Sequence, residues 1–214
     1  MTPQVVLAVV VVNLLAFASA FGKPSATKVT FISPCVAQGQ HGVDRWTPKT
    51  DPSPVPWNKS AIQKVTPSQI YAWPGPGPNV PLTRKTETRM ASEQKWYALT
   101  GRVVDLRVEA DGDIHIALKD ATGQKAGTVG AEVPAGQKWC KIRQRVFSWT
   151  AQKFPFRFQS SKALSIREHH VITVTGKAFF DVDHAVANHS NRRTRPKGYA
   201  AWEIHPVRAL YVDQ

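Results

Sequence analysis

Residues 96–214 predict a small all-β domain with one helix, behind an irregular, proline-rich N-terminal arm. Three observations lead there. Five segments alternate apolar and polar residues in the manner of strands. One segment repeats Trp139, Ile142, Val146, Phe147 and Trp149 near helical spacing. Eleven of the sixteen prolines fall within residues 21–95, where missing backbone donors and fixed φ oppose long regular elements.

Taken in order, residues 1–20 read as a signal peptide. Val5 to Ala18 is apolar except for Asn13, and Ala18-Ser19-Ala20 supplies the small residues of a cleavage site. The run falls short of the ~20 apolar residues of a spanning helix, so no transmembrane span is expected after cleavage. In the arm, 21–95, the stretches 51–57 and 73–81 are expected to be extended or irregular. Trp46, Trp57 and Trp73 are unusual there and either dock on the domain or decorate a mobile segment. A protease-resistant product beginning near Trp96 is expected.

The first strand, 96–110, is long, with Gly101 as a coiling point, and ends at the hairpin turn Asp111-Gly112. In the second, 112–118, Ile114, Ile116 and Leu118 face one way and Asp113, His115 and Ala117 the other. Asp120-Ala121-Thr122-Gly123 is a turn, and 128–133 forms a third strand closed by Pro134. The helix spans 137–151, with Lys138, Lys141, Arg143 and Arg145 on a solvated face. Strands at 171–182 and 199–212 follow, Pro206 marking an edge or a bulge in the last. Three strands, a helix and two strands describe a five-stranded OB-fold-like barrel, with a β-sandwich of another topology as the competing architecture.

The net charge is +13, from 28 basic and 15 acidic residues, which favours an anionic partner (nucleic acid, an acidic polysaccharide or an anionic membrane surface) or serves solubility alone. Cys35 and Cys140 are able to pair outside the cytosol, or to stand as two free thiols. With no Cys-x-x-Cys, thiolate zinc sites and thioredoxin chemistry are disfavoured. Nucleophile-elbow and phosphate-loop motifs are also missing from the sequence.

Two sets of side chains carry candidate chemistry. The first is Asp113, His115, Glu132, Glu203 and His205, which strand parity puts on the face opposite Ile114, Ile116, Trp202 and Ile204. Imidazole and carboxylate together can hold a divalent cation and activate water, with His115, Asp181, His184 and His205 as candidate metal ligands. The bland reading is a solvated sheet face with weak cross-strand charge pairs. Strand five is expected to close against strand one, which would put strand one between the Asp113–His115 and Glu203–His205 pairs and keep them apart. The second set is Arg192, Arg193, Arg195 and Lys197, in the loop before the last strand, with Tyr199 beside it. That loop borders the ligand groove of an OB-fold, where arginines grip phosphate or carboxylate; Tyr199, Trp202 and Phe179 are candidate stacking partners.

Three resemblances accompany this reading. The Asp111-Gly112-Asp113 turn resembles the hairpin turn of staphylococcal-nuclease-like OB proteins, but Leu118-Lys119-Asp120-Ala121 stands where those place an Arg and a Glu. Asp120-Ala121-Thr122-Gly123 resembles the strand turn of periplasmic bacterial OB-fold domains. More of the chain resembles a group of uncharacterised secreted bacterial proteins. The shared layout runs from Asp111-Gly112-Asp113-Ile114-His115 through Glu132-Val133-Pro134, Trp139-Cys140, Thr175 to Asp181 and His184, to Glu203-Ile204-His205-Pro206-Val207. It implies an exported, OB-fold-like domain and transfers no activity.

The leading expectation is an exported OB-fold binding module for an anionic ligand, nucleic acid or an oligosaccharide. A metal-dependent phosphodiesterase or nuclease and a structural envelope protein are the alternatives.

Overall fold

A computed structural model describes residues 29–37 and 44–213; the predicted signal segment lies outside them. The chain forms a closed, five-stranded mixed β-barrel of OB-fold-like design. The barrel strands are β4 (Trp96–Glu109), β5 (Ile114–Lys119), β6 (Val129–Val133), β9 (Val171–Phe180) and β10 (Trp202–Val212). Their order is β4-β5-β6-β10-β9, and β9 closes back on β4. Only the β6–β10 contact within the barrel is parallel. β10 therefore sits between β6 and β9, not against β4, which overturns the expected placing of strand one between the two acid–imidazole pairs.

Each strand follows from its alternation. β4 is long enough to pair with β9 over its first half and with β5 over its second. Its ladder slips between Val103 and Asp105, a bulge that moves the apolar face from Leu99 and Val103 to Leu106 and Val108, all fully buried. This bulge, rather than Gly101, reorients the strand. The turn to β5 needs Gly112, whose φ is 89°. Gly112 N–H donates to Glu109 O at 2.9 Å, and Asp111 Oδ1 accepts from Asp113 N–H at 3.1 Å. In β10 a second slip between Ile204 and Val207 puts Pro206 in a bulge within an interior strand. The barrel core is filled by Leu99, Leu106, Ile114, Ile116, Ala131 and Ile204, among others.

The helix α3 spans Cys140–Ser148, preceded by a 3₁₀ turn, Gln137–Trp139. Arg143 is buried on it, not on a solvated face as expected. It donates to Pro34 O at 2.6 Å, Val133 O at 3.0 Å, Pro134 O at 3.1 Å and Gly112 O at 2.9 Å. Carbonyls left over at the strand ends recruit this guanidinium, although burial lowers its pKa to about 10. Pro34 lies between β1 (Val29–Ser33) and β2 (Val36–Ala37), which form a small sheet with β7 (Phe156–Phe158). Cys35 and Cys140 are joined in a disulfide that ties this sheet to the start of α3.

Residues 44–95 lie against the barrel. Residues 51–56 are without regular structure, but β3 (Ile62–Val65) adds to the sheet parallel to β4. The short helices α1 (Trp46–Lys49) and α2 (Pro67–Tyr71) flank it, α2 capped by a reciprocal Thr66–Gln69 box. Trp73 packs on Tyr97 and Trp202, whereas Trp57 is almost fully exposed. Arg45 and Glu93 form a buried, two-pronged ion pair with both contacts at 2.7 Å. Among the described residues no helix is long and apolar enough to cross a membrane. β8 (Ser161–Ala163) pairs with the far end of β4.

Candidate acid–imidazole site on the outer barrel face

The site is built on the outward face of three adjacent strands. β5 contributes His115, with Asp113 just before its start; β6 contributes Gly130 and Glu132; β10 contributes Glu203 and His205. The β5–β6 register sets His115 opposite Glu132, and the β6–β10 register sets Ala131 beside Ile204. With Ala131 and Ile204 turned into the core, their neighbours must point outward. Gly130 makes the crowding possible. A Cβ there would lie 2.8 Å from His115 Cε1 and 3.0 Å from Glu203 Oε2.

All five sequence-derived candidates, Asp113, His115, Glu132, Glu203 and His205, meet here, and none is solvated. Residues 44–49 and the loop before β10 cover the face. His115 Nδ1 lies 2.9 Å from Glu132 Oε1, and His205 Nδ1 lies 3.6 Å from Glu132 Oε2 and 3.4 Å from Glu203 Oε1. Glu203 Oε2 accepts from Arg193 Nη2 at 2.5 Å, and Arg193 also contacts Asp181 at 3.0 Å. Asp181 in turn meets His184 Nδ1 at 2.8 Å.

The strand reasoning missed Glu109, Arg107, Asp111 and Lys49. Glu109 and Arg107 are outward because the β4 bulge switches parity, and the shift of apolar residues from Val103 to Leu106 is the sequence signal for it. Lys49 comes from α1 and lies 3.7 Å from Asp111; nothing in the sequence links it to the barrel.

Packing so many carboxylates out of water shifts their titration. Burial, then the charge of Glu132, raises Glu109 to about 7. Burial and Glu203 raise Glu132 to about 8. Burial pulls His115 down. For His205 burial works against the charge, but Asp113, Glu203 and Glu132 outweigh it and hold the imidazole up at about 9. Burial likewise opposes charge on Lys49, and Glu132, Asp111, Asp113 and Glu203 overcome it, keeping the amine above the usual lysine range.

Two spaces adjoin the cluster. A cavity of about 30 Å³ is lined by Lys49, Glu109, Glu132, Asp181, His184 and Glu203 among others, room for about two waters. Beside it, a groove of about 520 Å³ is lined by Arg107, Glu109, His115, His184, Arg193, Arg195, Pro196 and Tyr199. Glu109 and His184 belong to both, so the acidic cavity and the arginine-lined groove are neighbours.

The basic loop is divided by this arrangement. Arg195 and Tyr199 line the groove, but Lys197 does not. Arg192 stacks on Tyr71, 3.7 Å from the ring centroid, and donates to Tyr71 O at 2.7 Å. Arg193 is buried by its two carboxylates. Arg192 and Arg193 already answer internal acceptors, and so does Arg107 on the groove, which donates Nε–H and Nη2–H to Asp105 Oδ2 at 3.0 and 2.6 Å and must share that pair with any bound anion. Trp202 is also no stacking platform: it is buried against Phe180 and Trp73 and donates Nε1–H to Pro74 O at 2.8 Å. Phe179 is covered by Arg45 and packs on His205. Compared with known proteins, the chain matches no family model, no curated protein and no solved structure.

Proposed function

We propose that the domain binds a phosphodiester anion in the Arg107–Arg195–Tyr199 groove and hydrolyses it, with nucleic acid as the preferred substrate class. One observation carries this reading: the groove is lined by His115 and Glu109 together with Arg107, Arg193 and Arg195. Guanidinium forks match phosphate oxygens, and Tyr199 offers a ring for a base. Glu109, titrating at about 7, suits a general base at neutral pH. It would take a proton from water as the water oxygen bonds to phosphorus. The ester oxygen then leaves and takes up a proton from solvent.

Export is part of the proposal. The disulfide fits an oxidising compartment, periplasmic or extracellular, as does the resemblance to secreted bacterial proteins.

The test is cleavage of end-labelled single-stranded DNA and RNA by the purified chain, with Mg²⁺, Mn²⁺ or Zn²⁺ and with chelator. Cleavage lost in Glu109→Gln and in His115→Ala supports the reading. Salt-sensitive binding without turnover would reject hydrolysis and favour the plain binding module, which the Arg107–Arg195 wall also suits. Neither binding nor cleavage would reject both.

A further inference from the structure

We infer that Asp113, Glu132 and His205 hold a first-row divalent transition metal, Zn²⁺ or Mn²⁺, beside the groove. These three side chains are buried, and one donor atom from each lies within 4.8 Å of the others. The decisive feature is a pair of atoms inside the trio. Asp113 Oδ2 and His205 Nε2 are completely buried, make no hydrogen bond, and face each other at 3.3 Å.

Their neighbours show why these two atoms are left over. Asp113 Oδ1 is taken, accepting from Ala135 N–H at 2.8 Å. His205 Nδ1 points to Glu203 Oε1 at 3.4 Å, and Glu203 is fixed by Arg193. An imidazole that donates Nδ1–H to a carboxylate presents the Nε2 lone pair on its other side, the usual outer support of a metal-bound histidine. A lone pair and a carboxylate oxygen then confront each other without water. With the ring neutral such an arrangement repels, so a cation must lie between, either a metal ion or a proton on Nε2.

A separation of 3.3 Å is what two ligands adopt when each lies roughly 2.0–2.2 Å from one ion. One nitrogen and two carboxylates suit Zn²⁺ or Mn²⁺ better than the all-oxygen shells of Ca²⁺ or Mg²⁺. The surroundings agree in charge. The five carboxylates of Asp111, Asp113, Glu109, Glu132 and Glu203 outnumber the permanent cations Lys49, Arg107, Arg143 and Arg193 that face them. Glu132 also lines the small cavity next to the groove, so an ion on it would adjoin the proposed reaction site.

The occupant that would overturn the inference is a proton, making His205 an imidazolium bridging Asp113 and Glu203. The full chain, disulfide intact and stripped with chelator, is titrated with Zn²⁺ and with Mn²⁺ in a calorimeter, and metal content is measured after dialysis. One ion per chain is expected, with at least a tenfold loss of affinity in Asp113→Asn and in His205→Gln and no change in His169→Ala. If the variants do not fold, the unaltered chain decides by NMR. Zn²⁺ should shift the ring nitrogens of His205, and Mn²⁺ should broaden His205 and His115 before His169. No stoichiometric binding, binding unchanged in both variants, or a His205 ring that stays protonated with Zn²⁺ present would overturn the site. All these readouts are taken without substrate, so failure of the ion site and failure of hydrolysis are separate results.

Discussion

His115 and His205, carried by strands that do not touch, reach the two oxygens of one carboxylate, that of Glu132. Strand order makes this possible: β6 lies between β5 and β10, and Glu132 is its outward residue at that level. One side chain thereby couples a groove-facing imidazole to a fully buried one. Without β6 between them, the acid–imidazole pairs of β5 and β10 would be local sheet electrostatics.

Glu109 sets the pH at which the proposed reaction runs. Its carboxyl, raised to about 7 by burial and Glu132, is the base only when ionised. The value of kcat/KM is therefore expected to fall tenfold per pH unit below about 7 and to level above it. Glu109→Gln should remove that limb and lower the rate by about 10²–10⁴-fold, the usual range for a positioned base. A profile unchanged in Glu109→Gln would assign the base elsewhere.

The barrel was legible because strand alternation is a local signal. Ile114 and Ile116 against Asp113 and His115, and Trp202 and Ile204 against Glu203 and His205, put the acids and imidazoles on one side from sequence alone. Strand neighbours are a different matter. Whether β10 meets β4 or β6 depends on barrel closure, which no local pattern encodes. Bulges defeated parity at β4, hiding Arg107 and Glu109. Arg45, Lys49 and Arg143 were illegible for another reason: a buried guanidinium or amine has the same letter as a solvated one, and only the distant Glu93, Asp111 or the carbonyls of Gly112 and Val133 decide its fate.

The loop arginines should divide sharply when each is changed to alanine. Arg195, on the groove, is expected to weaken binding to single-stranded DNA and to lower the slope of log K against log salt by about 0.7, the change for one lost phosphate contact. Arg107→Ala, whose guanidinium is shared with Asp105, should lower the slope by less. Arg192→Ala, whose loss breaks the stack on Tyr71, should leave the salt slope unchanged. Arg193→Ala should instead destabilise the fold, since Glu203 and Asp181 lose their buried partner. Fluorescence-anisotropy titrations at several salt concentrations, with urea melts, separate these outcomes.

His184 offers a titration that is independent of substrate. Its hydrogen bond to Asp181 raises the imidazole to about 9, against the partial cost of burial. A raised histidine pKa means the contact stabilises the fold fully below the ordinary value near 6.5 and loses that contribution as pH rises through about 9. The side chain is 49% exposed, so the effect on stability is screened and small. An NMR titration should nevertheless find His184 charged at pH 8, and Asp181→Asn should return it toward 6.5.

Residues 44–95 are expected to resist protease as part of the domain, in place of trimming back to Trp96. The reason is Glu93. It is fully buried and receives Arg45 through both oxygens, Phe180 N–H on Oε1 at 2.8 Å and Met90 N–H on Oε2 at 2.8 Å. Arg45 also donates to Phe180 O at 3.0 Å and covers Phe179. The pair thus pins the segment to the end of β9, under which His205 lies. Glu93→Ala leaves a buried guanidinium without its counter-charge, and breaking such a pair costs about 3–5 kcal/mol. The urea midpoint should fall accordingly, and trypsin should begin to cut within 44–95 under conditions where the native chain is intact. Lys49 also comes from this segment, and its charge holds the Glu132 carboxyl down, so the loosened chain should lose a cation from the acid cluster as well. A Glu93→Ala chain as stable and as protease-resistant as the native one would mean that the segment is held by its apolar contacts at Trp73 and Ile70 and not by the ion pair.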